Sequence, residues 1–205
     1  MTELRVHNFS ISLDGYGAGP GQGVDNPLGV GGEQLHEWLF PPDGERTAVD
    51  QAFRTAGERG IGANIMGRNM FGPIRGDWPD DEWKGWWGDE PPYHNAVFVL
   101  THHAREPIEM QGGTTFYFVT DGIESAYKQA FDAAGGKDVR LNGGASTIRQ
   151  YMRAGLLDEL HVTISPILLG GGERVFDDVG DASERYECVE FVAGNGVTHA
   201  RLRRR

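Results

Sequence analysis

Three short segments combine small residues, hydroxyls and cations as an anion-binding turn requires: Gly67-Arg68-Asn69, Thr101-His102-His103 and Asn142-Gly143-Gly144-Ala145-Ser146-Thr147. Small residues let backbone N–H groups approach a phosphate closely, and a helix N-terminus beside them favours its charge. Ser146 and Thr147 add hydroxyl donors, and Arg68 adds a planar fork matched to phosphate oxygens. Thr101, His102 and His103, with Arg105 nearby, offer the hydroxyl and cationic donors that a 2′-phosphate-bearing dinucleotide needs. Plainer roles fit the same residues: a tight turn at Gly143-Gly144, an N-cap at Ser146, exposed loop histidines at 102 and 103. Adjacent histidines diverge on a strand and zinc-ligand spacings are missing, so no metal is expected.

Hydrolytic chemistry has no visible nucleophile–base set. The glycines between Gly15 and Gly23 follow an apolar run, yet no register of G-x-G-x-x-G fits, and Pro20 opposes an immediate helix. Gly136-Lys137 lacks the spacing of a P-loop, and His36-Glu37 has no second histidine four residues after the first. No G-x-S-x-G occurs, and Ser125-x-x-Lys128 lies off the apolar stripe of a surface helix. Hydride transfer needs no such set, because a cofactor does the chemistry while the protein orients and polarises. A proton donor or a ring-holding carboxylate is then the residue to seek. Asp14 leads, with Glu33 and Glu37 next; a turn former at Asp14 and a solvated helix face at the glutamates are the alternatives.

The elements that must position these residues are legible as apolar runs. Residues 3–13 alternate like a strand, and short buried-strand runs recur at Ala63–Met66, Ala96–Leu100, Phe116–Val119, Val139–Leu141 and Leu160–Ile164. Helical spacing appears at Leu35, Trp38 and Leu39; at Val49–Ala56 behind an N-cap at Thr47; at Ile123–Ala134 behind a capping box of Asp121 and Glu124; and at Ile148–Met152. Alternating strands and helices predict an α/β fold with a largely parallel sheet. Residues 185–192 and 197–203 around Ala193-Gly194-Asn195-Gly196 predict a hairpin, hence antiparallel edge strands at the C-terminal end. Residues 78–93 carry four of the five tryptophans in a Pro/Gly-punctuated stretch, either a lid over a heterocycle or a subunit contact.

Composition bounds the rest. A chain of 205 residues with 39% hydrophobic and 24% charged residues suits one domain over residues 1–205. A formal charge of −11 argues against nucleic acid, since the dense basic run is confined to Arg201–Arg205. One cysteine, Cys188, allows neither an intrachain disulfide nor a multi-cysteine zinc site. No apolar stretch is long enough for a membrane span and no signal peptide is visible, so the cytoplasm is the expected location.

Taken in order, Ser12-Leu13-Asp14-Gly15, Met66-Gly67-Arg68, Val99-Leu100-Thr101, LNGGAST at Leu141–Thr147 and LDELHVTISPILLGGGERVF at Leu157–Phe176 resemble the reductase domain of bacterial riboflavin biosynthesis (RibD C-terminal domain-like) and its dihydrofolate reductase-like relatives. The resemblance spans roughly residues 3–203. It implies a three-layer α/β fold and NADPH as cofactor, with hydride transfer to a small conjugated, pterin-like or pyrimidine-like substrate. It further implies that Gly67, Arg68, Asn69 and Gly143, Gly144, Ala145, Ser146, Thr147 meet the pyrophosphate, and Thr101, His102, His103 the 2′-phosphate. Asp14, with Glu33 as a second carboxylate, would sit near nicotinamide and substrate, while Ser165, Pro166 and Gly171 would border the substrate. Met70 stands where dihydrofolate reductases usually carry a threonine. A homodimer is the expected assembly. An NADPH-binding module without turnover, or a dimeric interaction protein using residues 78–93, are the competing readings.

Overall fold

The computed structural model describes residues 2–41, 44, 46–80 and 82–205. Asp81, within the tryptophan-rich stretch, therefore lies outside the described residues. In chain order the elements are β1 (Leu4–Ser12), a 3-10 helix (Gly32–Leu39), α1 (Ala48–Glu58), β2 (Ile61–Gly67), α2 (Arg68–Phe71), β3 (Ala96–Leu100), β4 (Ile108–Glu109), β5 (Thr115–Val119), α3 (Ile123–Ala133), β6 (Asp138–Gly143), α4 (Ala145–Arg153), β7 (Glu159–Ser165), α5 (Ala182–Arg185), β8 (Tyr186–Ala193) and β9 (Thr198–Arg204).

One sheet runs in the order β4-β5-β3-β2-β6-β1-β7-β9-β8. From β5 to β7 every neighbouring pair is parallel, whereas β4–β5, β7–β9 and β8–β9 are antiparallel. The fold is thus a mixed, mostly parallel α/β sheet with antiparallel C-terminal edge strands, as the apolar runs predict, in the three layers that the resemblance implies. Successive side chains of a strand point to opposite faces. Leu4, Val6, Ile65, Phe98, Val139 and Leu141 accordingly bury one face against Ala126 and Ala130 of α3 and Ile148 and Met152 of α4. On the other face, Met66, Val97, Val99 and Phe116 pack with Phe71 under Trp78, Trp83 and Trp87. Beyond them α1 and the 3-10 helix cover β1, β7 and β9, with Phe53 stacked on His161 and His199.

Local signals hold in most places. Thr47 caps α1, its side chain accepting from the Asp50 N–H. The start of α3 differs from the capping-box expectation. Gly122, at φ 96°, occupies the N-cap without a side-chain bond, and Asp121 accepts from the Thr120 hydroxyl instead. A left-handed N-cap backbone suits glycine and leaves aspartate one position too early.

Candidate functional site

Parallel sheets present ligand sites beyond the C-terminal ends of their strands. Here the ends of β2, β3 and β6 open into one cavity of about 760 Å³. Its size is that of a small-molecule site. Gly67, Arg68 and Asn69, then Thr101, His102 and His103, then Gly144, Ala145, Ser146 and Thr147 all line it. Segments separated by tens of residues in the chain therefore meet on one rim. A Cβ built on Gly67 would lie 2.4 Å from the Thr147 hydroxyl, so glycine is required for the first and third segments to touch. A Cβ on Gly144 meets nothing within 4 Å, leaving backbone open to the cavity at the N-cap of α4. Gly143 does not line the cavity; it packs on the Phe9 ring, where a Cβ would come within 2.5 Å.

The tryptophan-rich stretch braces this rim. The Arg68 guanidinium lies 4.0 Å above the Trp78 ring. Trp78 Nε1 donates to the carbonyls of His103 and Ala104 at 3.1 and 3.2 Å, and His103 Nδ1 pairs with Asp77 at 2.8 Å. Trp86 and Trp87 both donate to the Met70 carbonyl, and both rings line the cavity. Most of this aromatic surface is therefore turned inward, with Trp86 39% exposed.

The carboxylates expected near the chemistry, Asp14 and Glu33, do not line this cavity. Asp14 accepts from the Ser12 hydroxyl at 2.6 Å and from the N–H groups of Gly170 and Leu169 at 2.8 and 3.1 Å, and it does not line the cavity. These bonds, the Ser12 hydroxyl foremost, hold its pKa down at about 2. In this structure Asp14 is an ionised clasp between the β1 loop and the β7 loop. Glu33 is exposed on the first turn of the 3-10 helix and is also outside the lining. Ser165 and Pro166 border a separate hollow of about 230 Å³ beside Asp50, and Gly171 faces Pro20.

Other residues take their place. His7, Asn8, His36, Tyr93, Arg140 and Asn142 line the inner part of the cavity. Asn8 adopts φ 58° where β1 shifts register between Val6 and Phe9, a conformation asparagine tolerates better than most residues. Buried polar side-chain atoms normally find partners. Here His7 Nδ1, Asn8 Oδ1, Arg68 Nε and Arg140 Nε have none, and all four residues line the cavity. The sequence signal was present: Asn8 follows His7 and breaks the alternation of β1, and Arg140 and Asn142 alternate with Val139 and Leu141 in β6.

Behind the cavity runs a closed polar network. The Asn8 N–H donates to His161 Nδ1 at 3.0 Å, which leaves His161 Nε2–H to donate to His199 Nδ1 at 3.1 Å. His199 Nε2–H then donates to Asp50 Oδ1 at 2.8 Å. Burial foremost, with the charges of Arg201 and Arg140 adding, drives the His161 pKa down to about 2 and keeps the ring neutral. Glu159 joins His7 Nε2 at 2.6 Å and Arg203 at 2.9 Å. Burial raises its pKa, but His7, Arg201 and Arg203 overcome that and hold it at about 2.

The profile of the RibD C-terminal domain family matches residues 6–199. Among solved structures, a Shewanella sp. PV-4 protein named for riboflavin biosynthesis superposes with a TM-score of 0.64 at 24% identity, covering 100% of this chain and 99% of its own. A pyrimidine reductase-like protein of Corynebacterium diphtheriae superposes with a TM-score of 0.54 at 15% identity, covering 100% and 92%. The uncharacterized protein YyaP of Bacillus subtilis is 48% identical over 44 residues, 22% of this chain and 23% of that protein. Among the described residues no helix is long and apolar enough to cross a membrane.

Proposed function

The chain belongs to the RibD C-terminal domain family, and from that premise we propose that it is an NADPH-dependent reductase of a small conjugated or heterocyclic substrate. The observation that carries this reading is the convergence of the Gly67, Thr101 and Gly144 segments on one rim. A backbone free of Cβ at Gly144, the N-terminus of α4 and the Arg68 fork suit a pyrophosphate. Thr101, His102 and His103 suit a 2′-phosphate.

Bound there, NADPH would supply the hydride. The protein's own part is to hold the phosphates, to brace Arg68 on Trp78, and to close the inner cavity with Trp86 and Trp87. Water entering the cavity mouth supplies the proton, since Asp14 is ionised and turned away. The reading is tested by titrating the protein with NADPH and NADH while following tryptophan fluorescence, for which Trp86 and Trp87 are placed. NADPH-selective quenching supports it; no response to either nucleotide overturns it. Arg68→Ala should weaken NADPH binding by about 1.5–3 kcal/mol, the worth of a charge-assisted hydrogen bond.

A further inference from the structure

We propose that the inner part of the cavity takes a planar substrate bearing a carboxylate or a comparably anionic oxygen, and that Arg140 binds that oxygen. The proposal rests on the reductase reading for the substrate's place in the reaction, but its evidence is separate.

Arg140 stands mid-strand in β6, in register with Arg5 of β1 and Asn64 of β2. Its cationic neighbours on this face are neutralised. Arg5 meets Asp138 at 3.1 Å, and Arg201 and Arg203 meet Glu159 at 3.4 and 2.9 Å. Arg140 has no carboxylate within 4.0 Å among the described residues; its one hydrogen bond runs from Nη2 to the His7 carbonyl at 3.1 Å, and its Nε is buried without a partner. Taking a guanidinium out of water without a counter-charge is strongly unfavourable. Arg5 Nε also lacks a well-formed hydrogen bond, so what separates the two arginines is the carboxylate: Asp138 stands 3.1 Å from Arg5, and Arg140 has no such ion pair among the described residues. The free fork instead faces a cavity, where an anionic occupant can supply the missing partner in two parallel bonds.

The surroundings select the same class. Glu173 is the one carboxylate lining the cavity among the described residues, and it belongs to the strip paired with the Gly17 loop. The charge of Glu58 reaches Arg140, but Glu58 pairs with Arg54 at 3.5 Å and does not line the cavity, so among the described residues no acid in the cavity wall beside Arg140 receives an amidine-like edge such as that of a 2-aminopterin. Burial pushes the Tyr93 hydroxyl up and the His36 imidazole down, so both stay neutral. The rings of Trp86 and Trp87 border the space above, which suits a flat molecule.

The test is calorimetric titration of the full chain with 2-naphthoate and with its neutral isostere 2-naphthamide, each with and without saturating NADP+. The expected result is at least about tenfold tighter binding of the carboxylate, as a charge-assisted bond implies, persisting when NADP+ fills the phosphate rim. Arg140→Met should erase that preference and leave NADP+ affinity unchanged, while Arg140→Lys keeps part of it. Equal affinity for the two probes in the wild-type protein, binding of neither, or a preference surviving Arg140→Met would each overturn the proposal. Loss of NADP+ affinity in Arg140→Met would assign the guanidinium to the cofactor and overturn it as well. If the wild type binds no NADP+ yet discriminates the probes through Arg140, the cofactor reading fails and this one stands.

Discussion

Beneath α3 and α4 the central strands present Leu4, Val6, Val139, Leu141, Leu160 and Val162, an apolar layer that packing alone satisfies. On the opposite face the same three strands present Arg5 and His7, Arg140 and Asn142, and Glu159 and His161. Polar groups in such a place must be partnered or they destabilise the fold. Away from the cavity each meets an opposite charge or a ring partner: His161, His199 and Asp50 form a continuous chain, Glu159 is met by His7, Arg201 and Arg203, and Arg5, though its Nε makes no well-formed hydrogen bond, stands 3.1 Å from Asp138. The unpaired atoms of His7, Asn8 and Arg140 gather instead at the cavity. The contrast teaches that one face of this sheet is satisfied by packing alone, while the other leaves polar atoms open to a cavity with a buried polar network behind them.

Breaking the network should have the largest effect. His199→Ala leaves Asp50 charged and 2% exposed without its ring partner and strips Phe53 of a stacking surface, so it should cost about 3–5 kcal/mol in denaturant unfolding. A cost under about 1 kcal/mol would show that water reaches this face and that the contrast is overdrawn. Ile148→Ala probes the apolar side, where cavity formation should cost about 2–5 kcal/mol without changing the pH dependence of stability.

Acid sharpens the comparison further, because only the polar face titrates. His161 stays neutral in the fold down to about pH 2, whereas in the unfolded chain it takes a proton near 6.5. The unfolded state therefore binds more protons between those values, and stability falls as pH drops below 6.5. Glu159, at about 2 in the fold against 4.5 unfolded, adds to the loss below pH 4.5. The His161 effect alone should remove roughly 2 kcal/mol between pH 6.5 and 4.5, and His161→Gln should flatten that part of the profile. Smallest is Thr47→Ala, which removes the cap of α1 and a hydroxyl that donates to Asp50 at 2.6 Å. It should cost about 1 kcal/mol and lower the thermal midpoint, and because its hydroxyl helps hold the Asp50 carboxyl below the usual range, it should change the acid profile only at its low-pH end and leave the part set by His161 intact.

The strand and helix pattern was legible because its signals are local. Apolar runs at Ala63–Met66 and Ala96–Leu100 are buried in parallel neighbours, and Thr47 caps the helix its spacing announces. The rim was legible for the same reason, since small residues following a buried run mark a strand end whatever lies beside it. The α3 cap departs from its local signal because Asp121 and Glu124 fit a spacing rule while the backbone at Gly122 follows a different path. Asp14 has the chemistry and the chain position of a proton donor, yet the loop after β7, more than 150 residues away, claims both its oxygens.

By itself the sequence determined the alternation of strands and helices, the antiparallel C-terminal edge, and the glycine-, hydroxyl- and cation-bearing turns at three strand ends. Each depends on neighbours within a few positions, where propensity and spacing act directly. Only the tertiary structure decided which polar residues share a face and which of them find partners. Arg5 and Arg140 look alike in the chain, yet Asp138 meets one and an open cavity the other. Pairing across a sheet joins residues through register and packing, and neither is written in any local stretch of sequence.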